Sequence, residues 1–161
     1  MKKIIFIICI CIIMCSCDNS FSISDGPVVE NDLLQTFPYG SYDINTAIEW
    51  FESRKSYKIE EIDKPNNTIY ATYNGNVDWS ITAASGSGAL KGFFVILILA
   101  NEYSEEDLNE IYTCILEQVT ELGGIPIKTW NSGYCTRFNF GGIQIDVRLT
   151  SSLSLSISCP I

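Results

Sequence analysis

The chain has 161 residues, with 19 acidic residues against 10 basic ones, no histidine and a formal net charge of −9. A surface of that sign repels phosphates, which excludes nucleic acid as a partner, because affinity for it begins with phosphate neutralisation. Without histidine there is no Ser-His-Asp or Cys-His nucleophile and no imidazole-liganded zinc, so most hydrolase mechanisms fall away and no cofactor is expected.

Lys2 and Lys3 precede an apolar run over residues 4–14, the length of the hydrophobic part of a secretory signal and too short for a bilayer span of about 20 residues. The run closes on Met14-Cys15-Ser16-Cys17, which resembles a bacterial lipobox, with a small residue directly before the cysteine that receives lipid. Ser16 suits that place ahead of Cys17, whereas Met14 does not suit it ahead of Cys15. The resemblance implies a signal peptide over 1–16, a mature chain that begins at a lipidated (palmitate-bearing) Cys17, and membrane attachment through acyl chains worth about 0.8 kcal/mol per buried methylene. The implied address is the bacterial cell envelope. Asp18 resembles the inner-membrane retention signal of enteric bacteria, while in other Gram-negative groups acidic residues near that position accompany surface export, so both membranes stay open.

From Cys17 onward 145 residues remain, with 19 acidic and 8 basic side chains and a formal charge of −11. That is enough chain for one domain burying about two thirds of its unfolded surface. Three cysteines other than Cys17 belong to it, Cys114, Cys135 and Cys159. An odd number cannot all pair internally. Strand alternation sends Cys159 to the core and Cys135 to the opposite face, and Cys114 lies off its helix stripe, so three free thiols are expected.

Residues 17–40 are polar and turn-prone, with Gly26-Pro27 and Pro38, and read as a tether, although Val28, Val29, Leu33, Leu34 and Phe37 offer a docking edge. A single α+β domain is expected over 41–161. Asp43 caps a helix running to about residue 54, with Ile44, Ala47, Ile48 and Phe51 at helical spacing. Strands are expected over 57–62, 68–73, 77–84 and 90–99, with Pro65-Asn66-Asn67 and a tight Asn74-Gly75 turn between them. The run 93–99 is apolar on both faces, as in a strand that is central in the sheet or covered on both sides. The order then repeats. Ser104 and Asp107 form a capping box for a helix to about residue 122, with Leu108, Ile111, Tyr112, Ile115 and Val119 as its apolar stripe. Strands follow over 125–130, 134–140, 143–149 and 153–159.

Residues 43–99 and 104–159 thus read as two helix-plus-four-strand pseudo-repeats. Sliding one onto the other sets Tyr70-Ala71-Thr72 against Tyr134-Cys135-Thr136, and 77–81 against 143–147. Strands joined by short turns are antiparallel, so the class is α+β, an antiparallel sheet backed by helices on one face. In arrangement this resembles the β-lactamase inhibitor proteins and, more distantly, the small lipoproteins of the β-barrel assembly machinery. The resemblance covers architecture over 43–159, without a residue motif. Those families place two helices on each four-stranded sheet, whereas each half here offers one.

The sheet face away from the helices is expected to carry Asp78, Ser80 and Thr82 from one half. The other half supplies Arg137, Asn139, Gln144, Asp146, Arg148 and Ser154, Ser156 and Ser158. Arg137, Asp146, Arg148 and Asp78 are the candidate binding residues, through cross-strand ion pairs or bidentate capture of a partner's carboxylates. Ser85-Gly86-Ser87-Gly88 has neither nucleophile-elbow nor phosphate-loop spacing and reads as a hairpin loop. A glycosidase needs two carboxylates about 5 to 9 Å apart, and Asp78 with Asp146 is the pair to test. No catalytic or metal residue is assigned. The expected function is protein-protein binding by an envelope adaptor, such as an inhibitor, immunity or assembly factor. A glycan-associated lipoprotein and a carboxylate-dependent glycan hydrolase are the alternatives.

Replacing Cys17 with Ala is expected to abolish incorporation of labelled palmitate and release the protein from the membrane fraction, whereas Cys15→Ala leaves both intact. Label retained by the Cys17 variant would place the modification elsewhere.

Overall fold

The computed structural model describes residue 23 and residues 26–85, 92–130, 134–149 and 154–158. The signal segment, Cys17, residues 86–88 of the glycine-serine loop and Cys159 lie outside the described residues.

Within them the chain forms α1 (Asn31–Thr36), α2 (Ile44–Glu52), β1 (Tyr57–Asp63), β2 (Thr68–Tyr73), β3 (Trp79–Ser85) and β4 (Phe93–Leu99). After these come α3 (Glu105–Glu121), β5 (Ile125–Trp130), β6 (Cys135–Phe140), β7 (Ile143–Arg148) and β8 (Ser154–Ser158). The strands make one sheet in the order β1-β2-β3-β4-β8-β7-β6-β5, antiparallel throughout. Strand takes 41% of the described residues and helix 26%. The expected α+β class therefore holds only in part: the sheet is the framework and the helices are a thin cover.

Helices α2 and α3 start where their capping chemistry places them. The Asp43 carboxylate accepts the Asn45 amide at 3.0 Å. Ser104 and Asp107 close a reciprocal capping box, satisfying amides that have no partner inside the helix. Period-two alternation then orients the strands. Ile69, Ala71 and Tyr73, Trp79, Ile81 and Ala83, Val95, Leu97 and Leu99, Ile145 and Val147, and Leu155 and Ile157 are buried against the helical side. Each fully buried large side chain contributes about 1.5–3 kcal/mol. The Gly141-Gly142 pair, both at positive φ (58° and 89°), joins β6 to β7 in a tight turn that other residues enter only with strain. Asn74-Gly75 does not act the same way. Tyr73 pairs with Trp79, so the link spans residues 74–78 and the expected tight turn is a longer loop.

Both outermost strands carry a register shift, β1 between Ile59 and Glu61 and β5 between Pro126 and Lys128. Bulges there, with Pro126 lacking an amide hydrogen, blunt the sheet edges against further pairing.

The largest departure from expectation lies in the 17–40 stretch. From Gly26 onward it is not a tether: Val28, Val29, Leu33, Leu34, Phe37 and Tyr39 are buried in the core. The cause is polar as much as apolar. The Gln118 side chain on α3 accepts the Val28 amide at 3.1 Å and donates to the Val29 carbonyl at 2.7 Å and to Asn31 Oδ1 at 2.9 Å. The Trp79 indole donates to the Val28 carbonyl at 3.1 Å. A Cβ on Gly92 would meet the Tyr39 carbonyl oxygen at 2.1 Å, so residue 92 must be glycine for the strap to cross the start of β4.

Beside the strap, Phe37, Trp50, Phe51, Tyr57 and Tyr73 pack ring against ring. The Tyr57 hydroxyl is buried with no hydrogen-bond partner among the described residues. Burial first, then the nearby Glu30 charge, raise its pKa well above the ordinary tyrosine value. The neutral phenol is thus the folded form, and the corresponding stability is complete below the unfolded pKa of about 10 and is lost as pH rises above it. Tyr57→Phe is expected to match or slightly exceed the parent at pH 8. Between pH 9 and 11 it should lose about 1.4 kcal/mol less than the parent, as read from urea unfolding. Equal alkaline losses in the two proteins would contradict this.

Candidate functional site

The register places one unbroken row of side chains across the uncovered face of all eight strands. It runs Glu61, Tyr70, Thr82, Ile96, Ser156, Asp146, Arg137 and Lys128. A second row contains Lys58, Thr72, Ser80, Ile98, Ser154, Arg148, Cys135 and Trp130. The expected polar face therefore exists, and its serines, Gln144, Asn139 and the Arg137–Asp146 couple stand on it.

Its centre is not polar. Phe94, Ile96 and Ile98 of β4 point to this side, and Ile98 is 39% exposed. The run is central in the sheet, as expected, but it is not covered on both faces. Small residues flank it, Ser80, Thr82 and Ala84 on β3 and Ser154, Ser156 and Ser158 on β8. A trough floored by three serine hydroxyls thus lies between an apolar wall on β4 and a polar wall on β7. Those walls are two strand spacings, about 10 Å, apart. The sequence signal for the apolar wall was present in the two-faced run over 93–99.

On the polar wall Arg137 Nε donates to Asp146 Oδ1 at 2.6 Å and Arg137 Nη2 to Oδ2 at 2.7 Å. This bidentate bond holds the guanidinium charged above its ordinary pKa. The Arg137 guanidinium carbon lies 5.3 Å from the Trp130 ring centroid and Lys128 Nζ 5.7 Å from it, so both cations are held against one indole. Trp130 is half-buried and lies outside the core cluster. Tyr39 and Trp50, by contrast, are buried, and Tyr42 is exposed. Arg148 is exposed and has no ion pair among the described residues.

Asp78 does not join the site. It sits on the loop before β3, where its carbonyl accepts the Ala100 amide. From Thr82, four residues further on, three strand steps lead to Asp146, which sets the two carboxylates' backbones roughly 20 Å apart. That separation removes the glycosidase pair.

A cleft of about 500 Å³ opens on the other side of the sheet, between α3 and the strap, with Glu110, Cys114, Glu117 and Glu121 on its helical wall. Burial and the charges of Glu117 and Glu110 raise the Cys114 pKa. The thiol therefore stays protonated and is a poor nucleophile. Cys114 and Cys135 are both free, and they lie on opposite sides of the sheet. Among the described residues no cluster of three or more acidic or cysteine side chains is arranged to hold a metal, and no helix is long and apolar enough to cross a membrane.

Comparison with protein-family models, curated proteins and solved structures returned no match.

The Arg137–Asp146 pair is half-exposed, so its coupling is expected to be about 1 kcal/mol. A double-mutant cycle of Arg137→Gln and Asp146→Asn in urea unfolding measures it, and zero coupling would remove the pair as an ordering element of this wall.

Proposed function

We propose that the protein is a lipid-anchored binding or adaptor protein of the bacterial cell envelope that acts by protein contact, in the manner of an inhibitor, immunity or assembly factor. In this reading the molecule is two helix-plus-four-strand halves of an α+β fold whose uncovered sheet face is the contact surface. The observation that carries the proposal is the apolar strip of Phe94, Ile96 and Ile98 at the centre of a face that the helices leave open. Side chains of that kind are costly to leave in water, and a contiguous set framed by polar groups is the pattern of an interaction site.

The glycan alternative has less support. Sugar platforms stack rings on adjacent aromatic side chains, whereas Tyr70 on β2 and Trp130 on β5 stand six strand steps, roughly 29 Å, apart. The hydrolase alternative loses the pair it was argued on, because Asp78 and Asp146 stand roughly 20 Å apart along the sheet.

The test is site-specific photo-crosslinking in the full chain in native envelopes. A benzophenone amino acid at Ile98 is expected to yield a discrete protein adduct, and the same group at Glu110 on α3 is not. Adducts at Glu110 alone, or polysaccharide retention that Ile98→Asp abolishes, would overturn the reading.

A further inference from the structure

Charge is sorted across the sheet in the second half of the molecule. After residue 91 the basic residues are Lys128, Arg137 and Arg148. All three occupy the open face, on β5, β6 and β7. Helix α3, on the opposite side, carries Glu105, Glu106, Asp107, Glu110, Glu117 and Glu121. Against those three cations the open face of this half sets one carboxylate, Asp146, and Arg137 consumes it in a bidentate bond. A chain with a net charge of −9 thus presents a locally positive wall beside its apolar strip. At the end of that wall stands a guanidinium with no ion pair among the described residues.

We infer that the segment seated on this face is an acidic polypeptide stretch that lays an apolar side chain against Ile96 and Ile98, over the serine floor, and a carboxylate against Arg148. The inference rests on the contact reading above and specifies the partner's chemistry. Arg137 already spends its bidentate edge on Asp146 and is drawn over Trp130, which leaves Arg148 as the bidentate donor to a partner's carboxylate on this wall and Lys128 as a more peripheral attraction. The serine hydroxyls are small enough for an incoming backbone to approach and both donate and accept hydrogen bonds. Two surplus cations next to an apolar strip fit a few carboxylates. An anionic lipid surface is instead held by clusters of 4–8 basic residues.

The experiment uses the Ile98 photo-crosslinker in the full chain, in native envelopes, combined with Arg148→Glu, Arg148→Lys or Lys128→Glu, followed by sequencing of the crosslinked peptide. Arg148→Glu is expected to lower the adduct yield about tenfold, Lys128→Glu about threefold, and Arg148→Lys by less than about threefold, with the captured peptide net negative. Arg148 is exposed, so unchanged melting temperatures are expected and are checked alongside. Should Arg148→Glu reduce folding, the Lys128 variant and the peptide sequence still decide. Undiminished adducts in the charge-reversed variants, or a captured peptide that is neutral or basic, would overturn the acidic partner while leaving protein contact at this face intact. Adducts to lipid would overturn both. Absence of any adduct at Ile98 would remove the contact face itself.

Discussion

The pairing of β4 with β8 is the constraint on which the rest depends. Each belongs to a run of four strands that short links hold together, and each would otherwise be an edge. Joined through Val95 with Ile157 and Leu97 with Leu155, they turn two four-stranded pieces into one sheet. No short link enforces this seam, because 56 to 62 residues separate the paired positions. Burial of the apolar side chains beneath it must hold it closed.

Closing the seam has opposite effects on the two faces. On the helical side it completes a core shared by α2, α3 and the strap from Gly26 to Tyr39, in which Gln118 satisfies backbone groups of the strap that would otherwise be buried without partners. An orphaned buried amide or carbonyl costs about 1–3 kcal/mol, so one side chain decides whether that segment belongs to the core. On the open side the seam sets an isoleucine and phenylalanine strip beside a row of serines, and beyond them an ion pair and an arginine with no ion pair among the described residues. The helices carry most of the negative charge of the second half and the sheet its positive charge. The second half is therefore electrically two-sided despite the acidic total of the chain.

Much of this was legible in the residues. Capping at Asp43 and Ser104, the apolar stripes of the helices and seven of the strands within two residues followed from local rules, because such rules involve side chains three or four positions apart. Errors arose where a local rule met a distant neighbour. Setting Tyr70-Ala71-Thr72 against Tyr134-Cys135-Thr136 puts Ala71, which faces the helices, over Cys135, which faces away, and a slip by an odd number inverts every side chain. The register instead makes Tyr70 the counterpart of Arg137, and Thr82 that of Asp146. The 17–40 stretch looked like a linker because its apolar residues are sparse and broken by Pro and Gly, and no pattern within it announces a glutamine nearly ninety positions away.

By itself the amino-acid order determined α2, α3 and the eight strands, though not α1, and which parity of each strand faces the core, since these are set by periodicities of 3.6 and 2 within a few turns or pleats. It also fixed the acidic total and the absence of histidine chemistry. Only the tertiary structure decided which side chains of the two halves become neighbours: that Asp78 lies far from Asp146, and that the apolar wall of β4 fronts a serine floor on β8 and, beyond it, an Arg148 with no ion pair among the described residues. Those adjacencies come from the strand order across the β4–β8 seam, a long-range choice made by the packing of the whole core and encoded in no short stretch of chain.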